Sequence, residues 1–182
     1  MELVYKMFGP GLTCRGYQYK PGEWSEEKEA NCVRNGLHAA KNPLDCLSYY
    51  SWGGGNECWA CIADGDVDED GVDSKVSVTR LMPARRLSTL DFVNAAVNYA
   101  VRHREARNGT RMVHGPAETR GVPFAFSVDE NPAARGWRPG DVLALIETGR
   151  DGEAVQVGVH VVGENGIEPG KWYGVDGKER IC

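Results

Sequence analysis

The sequence predicts an α+β protein: a mixed N-terminal domain with two main helices, followed by a small antiparallel C-terminal β-sheet. Three observations lead there. First, 23 glycines and nine prolines in 182 residues cut the chain into short segments, which suits strands and turns. Second, two stretches carry helix-start signals. Third, the last third of the chain repeats a strand-length apolar run followed by a turn dipeptide. The expected division is an N-terminal domain over residues 1–108, a linker or mobile loop over 109–121, and a C-terminal β subdomain over 122–182.

Residues 3–8 are apolar and aromatic enough for a strand, which the Gly9-Pro10-Gly11 turn ends. Residues 12–19 read as a second strand, closed by Lys20-Pro21-Gly22, and residues 37–40 as a short buried one. A helix then starts with Asn42 as its cap, Pro43 at the first helical position and Asp45 in the first turn. The cap oxygen accepts a free backbone donor, proline lacks a donor there anyway, and the carboxylate meets the positive end of the dipole. Leu44 and Leu47 line its buried face, and the glycines at 53–55 end it. Residues 57–63 read as a strand, 64–73 as an acidic turn and 75–81 as a strand that Pro83 closes. The long helix runs from Ser88 to about Arg107, with Leu90, Val93, Val97, Ala100 and Val101 on one face. Beyond the linker, residues 123–128, 141–148, 154–162 and 171–175 read as strands joined by turns such as Asp151-Gly152 and Asn165-Gly166.

Charge narrows the function classes. The net charge is -5 and the sequence pI about 5.4. Direct phosphate-backbone binding usually comes with a basic surplus, so no direct nucleic-acid partner is expected, despite a local cluster of Arg102, His103, Arg104 and Arg107. Residues 1–20 have no apolar signal-peptide core, and no apolar run reaches the roughly 20 residues that span a bilayer. A cytoplasmic protein with no membrane partner is expected, its six cysteines remaining thiols.

Several motifs read as structural. Cys58-Trp59-Ala60-Cys61 has redox spacing, but in a strand the two thiols face opposite sides, as buried small hydrophobes do. Asp66, Asp68, Asp70 and Gly71 match the start of a calcium loop, but Ser77 stands where its bidentate glutamate belongs. No metal site is expected. One stretch does suggest a ligand. A strand carrying Arg15-Gly16, then a short strand with His38 opening a helix that ends at Tyr49-Tyr50, can form the walls of a cleft. Arg15 offers a rigid fork of donors for phosphate or carboxylate. Tyr17, His38 and Tyr49 are the other candidate ligand contacts.

The segments from Leu12-Thr13-Cys14-Arg15-Gly16-Tyr17 through Asn35-Gly36-Leu37-His38-Ala39 to Tyr49-Tyr50 resemble an uncharacterised domain family of phage and prophage genes, over about residues 4–105. The resemblance implies a phage-encoded accessory protein. With the acidity and the lack of a complete catalytic set, the expected function is binding a host protein, as an anti-CRISPR-like inhibitor of host defence does. The natural partner is a nucleic-acid-binding defence complex, met by the acidic stretches 23–29 and 64–73, with Asp66, Asp68, Glu69 and Asp70 as contacts. No cofactor is expected on this reading. The same segments are also similar to ADP-ribosyltransferases, which implies NAD held by Arg15 with His38 beside its nicotinamide. That fold's second motif is replaced here by Ala39-Ala40, and Glu57 and Glu147 are the candidates for its glutamate.

Overall fold

The computed structural model describes all residues except Val33, Asp70, Thr110 and Cys182. Contacts divide the chain into two compact units, Met1–Ser88 and Thr89–Cys182.

The first unit comprises strands β1 (Glu2–Phe8), β2 (Thr13–Cys14), β3 (Tyr17–Gln18), β4 (Ser25–Glu26), β5 (Leu37–Ala40), β6 (Glu57–Glu69) and β7 (Lys75–Arg86). β7 pairs with β5, β5 with β1, β1 with β6 and β6 again with β7, all antiparallel, so four strands close into a barrel. Alternate residues fill it: Val4 and Phe8 of β1, Leu37 and Ala39 of β5, Trp59, Cys61 and Ala63 of β6, and Val76 and Val78 of β7.

Closing so few strands demands sharp bending, and two register shifts in the β6–β7 hairpin supply it. One holds Gly65 at φ 78°, the left-handed residue of a G1-type bulge. There the Asp66 amide donates to Thr79 Oγ1 at 2.9 Å. The other lies beside Pro83, which cannot donate to a ladder and is tolerated at a bulge. Its carbonyl accepts from the Gly22 amide at 2.8 Å.

This architecture corrects the α+β expectation. About 43% of the chain is strand and 14% helix. The second main helix is absent: Pro43–Ser48 form one six-residue 3₁₀ helix. Asn42 does cap it, accepting from the Leu44 amide at 3.1 Å. Asp45, however, turns to accept from the Ser74 amide at 3.0 Å. So short a segment lacks the length to propagate as an α-helix. The acidic stretch is likewise not a turn, because Asp64 to Glu69 continue β6. The expected strand at 12–19 is instead a tight hairpin of β2 and β3 around Arg15-Gly16.

The second unit opens with α1 (Thr89–Arg102), which buries Phe92, Val93, Ala96, Val97 and Ala100. It stops before Arg107 because that buried side chain folds back onto it. Arg107 Nε donates to the Ala100 carbonyl at 2.8 Å, capping the helix end as cations do. The strands are β8 (Val113–His114), β9 (Ala117–Glu118), β10 (Phe124–Asp129), β11 (Ala134–Arg135), β12 (Val142–Thr148), β13 (Ala154–Val161), β14 (Trp172–Tyr173) and β15 (Glu179–Arg180). They form two four-stranded sheets, ordered β13-β12-β10-β8 and β15-β14-β11-β9. The expectation of one small antiparallel sheet is corrected here too, since β10 runs parallel to both β12 and β8, and β11 runs parallel to β9. β8 and β9 fall within residues 109–121. Among the described residues, no helix is long and apolar enough to cross a membrane.

Candidate functional site

The strand alternation of β1 carries an anomaly. Lys6 stands in phase with Val4 and Phe8, on the face that fills the barrel, and is only 6% exposed. Its ammonium donates to the His38 carbonyl at 2.5 Å. It lies 5.6 Å from the Phe8 ring centroid and 5.5 Å from that of Tyr19. β1 and β5 share a single register pair, Tyr5 with Ala40, so the Lys6 amine fills the place where the strands part. Among the described residues, no carboxylate pairs with it. Buried charges are normally paired.

Lys6 forms part of the wall of a cavity of about 800 Å³ within the first unit. Arg15, Tyr17, His38 and Tyr49, the four candidate ligand residues, all line it. Five cationic side chains border it (Lys6, Arg15, Lys28, Arg34 and Lys75) against two carboxylates, Glu27 and Glu29. The whole chain has the opposite balance, 21 basic to 26 acidic residues. An acidic protein therefore sets five of its 21 basic residues around one hollow.

Local structure places each group. Arg15 and Gly16 form the two-residue loop between β2 and β3, with φ of 49° and 81°, the positive pair that a type I′ turn requires. Asn-Gly suits that turn far better than Arg-Gly, so a guanidinium is held at the tip at a conformational cost of about 1–2 kcal/mol. Arg15→Asn is expected to raise stability by about 0.5–1 kcal/mol while weakening anion binding. Thermal melts and phosphate titrations read the two effects separately, and a loss of stability would mean that Arg15 holds the fold.

His38, half-buried on β5, has its pKa lowered by burial and then by the charges of Lys6, Arg15 and Lys75. It is therefore neutral at pH 7. The sign for stability follows: the folded value lies below the unfolded one, so the unfolded chain binds the proton more readily. Stability is full above about pH 6.5 and declines as pH falls through the folded value. Wild type should lose more melting temperature between pH 7 and pH 5 than His38→Gln, and parallel losses would contradict this.

The tyrosines are pinned. Tyr49 Oη donates to Asp73 at 3.1 Å and accepts from Lys75 Nζ at 3.0 Å. The Tyr17 ring stands edge-on to Tyr19 with centroids 4.7 Å apart. Tyr50 Oη donates to Cys14 Sγ at 3.2 Å, and its pKa is pushed up to about 12, by burial and then by that bond.

The candidate partner contacts lie elsewhere in this unit. Asp68 accepts from the Cys32 amide at 2.7 Å. Glu69 pairs with Lys41 at 2.5 Å. Asp66 is exposed at the β6 bulge, and Asp70 falls outside the described residues. The neighbouring Asp64 pairs with Arg80 at 2.7 Å. Of the two candidate transferase glutamates, Glu57 accepts from Trp59 Nε1 at 3.0 Å and pairs with Arg86. Glu147 lies on β12 of the second unit. The thiols of the Cys58–Cys61 pair are buried and their pKa values pushed up, Cys61 to about 12 by burial, which removes the thiolate that redox chemistry needs. Among the described residues, no group of three or more His, Cys, Asp or Glu could hold a metal ion.

Sequence reading missed Lys6, Lys28, Arg34, Lys75 and the two rim glutamates as parts of this pocket. Lys6 alone left a signal, a charge in step with the apolar face of its strand.

The family described as Domain of unknown function (DUF7666) matches residues 2–95, just over half of the chain. No curated protein and no solved structure matches. The comparisons therefore lend no support to a phage origin or to ADP-ribosyltransferase similarity.

Proposed function

The chain belongs to the DUF7666 family, whose function is unknown, and we propose that its N-terminal unit is a binding module that takes a small anionic ligand in the Lys6 pocket. The observation that carries this reading is the buried Lys6 ammonium, which has one backbone acceptor and two aromatic faces but no carboxylate partner among the described residues. Desolvating a charge costs several kcal/mol unless something answers it. A bound anion would answer it, and Arg15 and Lys75 add attraction around the same hollow.

The reading as an acidic inhibitor of a host defence complex has less to support it. Asp64, Asp68 and Glu69 spend much of their charge on partners inside the unit. Isothermal titration of the full chain with phosphate and with pyrophosphate, at constant ionic strength, tests the anion reading. Saturable binding, tighter for pyrophosphate and lost in Lys6→Met, is the expected result. Heats no larger than those of equivalent chloride, or binding unchanged in Lys6→Met, would overturn it.

A further inference from the structure

We propose that the ligand of this pocket carries a flat unsaturated ring beside its anionic group, as a nucleoside phosphate does, with the ring held against Tyr17 and Tyr49 and the phosphoryl group at Lys6 and Lys75. The inference rests on the anion reading above and adds the chemistry of the rest of the ligand.

Volume is the first argument. A cavity of about 800 Å³ falls in the range that holds whole organic ligands. A lone phosphate would leave most of it filled with water.

The two tyrosines point the same way. Tyr17 is 48% exposed and Tyr49 56% exposed, and both line the cavity. Neither is loose. Tyr17 is fixed edge-on by Tyr19, and Tyr49 is fixed through its hydroxyl by Asp73 and Lys75. Rings that already have such contacts, with much of their surface open, lose less entropy than free ones when a planar group stacks on them. Tyr49 also sits beside the Lys75 ammonium, whose Nζ lies 5.3 Å from the ring centroid. A ring stacked there would carry its phosphoryl group next to a cation.

The pair of rim carboxylates also fits such a ligand. Glu27 and Glu29 border a hollow that is otherwise cationic, and neither side chain has a hydrogen-bond or ion-pair partner among the described residues. They are suitable acceptors for the amino or hydroxyl donors of a base or sugar.

Titrations of the full chain with AMP, ribose 5-phosphate, phenyl phosphate and adenosine, at one ionic strength, test the inference. AMP is expected to bind about tenfold more tightly than ribose 5-phosphate, the step a stacked base supplies. The double variant Tyr17→Leu and Tyr49→Leu should reduce that ratio to within about twofold. Phenyl phosphate separates the sources of the ring. Weaker binding than AMP assigns a nucleotide, and equal binding assigns any flat ring, still within the inference. Equal affinity for AMP and ribose 5-phosphate would overturn the ring while leaving the anion site standing. If phosphate itself fails to bind, the anion reading falls and takes the inference with it.

Discussion

Lys6→Met is expected to yield a folded protein of nearly unchanged stability that has lost all phosphate-dependent stabilisation. Two terms offset in the empty protein. Removing the ammonium relieves the cost of holding a charge at 6% exposure without a carboxylate. It also strips the His38 carbonyl of its 2.5 Å donor, a loss of about 1–3 kcal/mol when the group stays dry. Methionine keeps the length of the stem and its packing against Phe8 and Tyr19. The net change should therefore stay within about 1 kcal/mol. Ligand behaves differently: at ten times its dissociation constant, phosphate should stabilise wild type by about 1.4 kcal/mol and the variant by nothing. Thermal melts with and without phosphate read both quantities. A variant that melts far below wild type, or one that still responds to phosphate, would show that the amine serves the fold.

Gly65→Ala should cost about 2–3 kcal/mol. Gly65 sits at φ 78°, and an added Cβ would fall 2.2 Å from Thr79 Oγ1. That hydroxyl is the acceptor fixing the bulge through the Asp66 amide. The substitution therefore combines a disfavoured backbone conformation with the loss of the bond that bends β6 over β7. Gly71→Ala is the internal control. Its φ is 70°, but no atom of the described residues lies within 4 Å of the added Cβ, so only the conformational term of about 1 kcal/mol remains. Chemical denaturation of both variants decides the matter, and equal losses would mean that the bulge does not close the barrel. The point bears on function because β7 carries Lys75 and β1 carries Lys6 into the same hollow. An opened barrel would separate them.

The parts of the fold legible in the sequence were those set by local chemistry. Asn42-Pro43 did start a helical turn, and the Ser88 region did start the long helix. Arg15, Tyr17, His38 and Tyr49, singled out on residue type and spacing, are gathered in one cavity. Barrel closure was hidden because it depends on long-range register. Asp64 looks like the start of a solvated acidic run until Arg80, sixteen residues on, is placed opposite it. Glu69 meets Lys41, 28 residues away. Pro83 reads as a strand terminator unless a bulge is known to receive it. The parallel pairs of the second unit were hidden for a related reason: turn dipeptides suggest hairpins, yet β10 crosses over β11 to pair with β12. Lys6 could have been found from the sequence. Val4, Lys6 and Phe8 share one strand face, and a charge in an apolar file is the local conflict that often marks a site.

The most direct measurement is anomalous diffraction from a crystal of the full chain soaked in bromide, which marks anion positions without presuming the ligand. A bromide peak is expected within hydrogen-bond reach of Lys6 Nζ, about 3.3 Å, inside the cavity that Arg15 and Tyr49 also line. A Lys6 amine paired with a carboxylate, with bromide found only on outer surfaces of the protein, would contradict it.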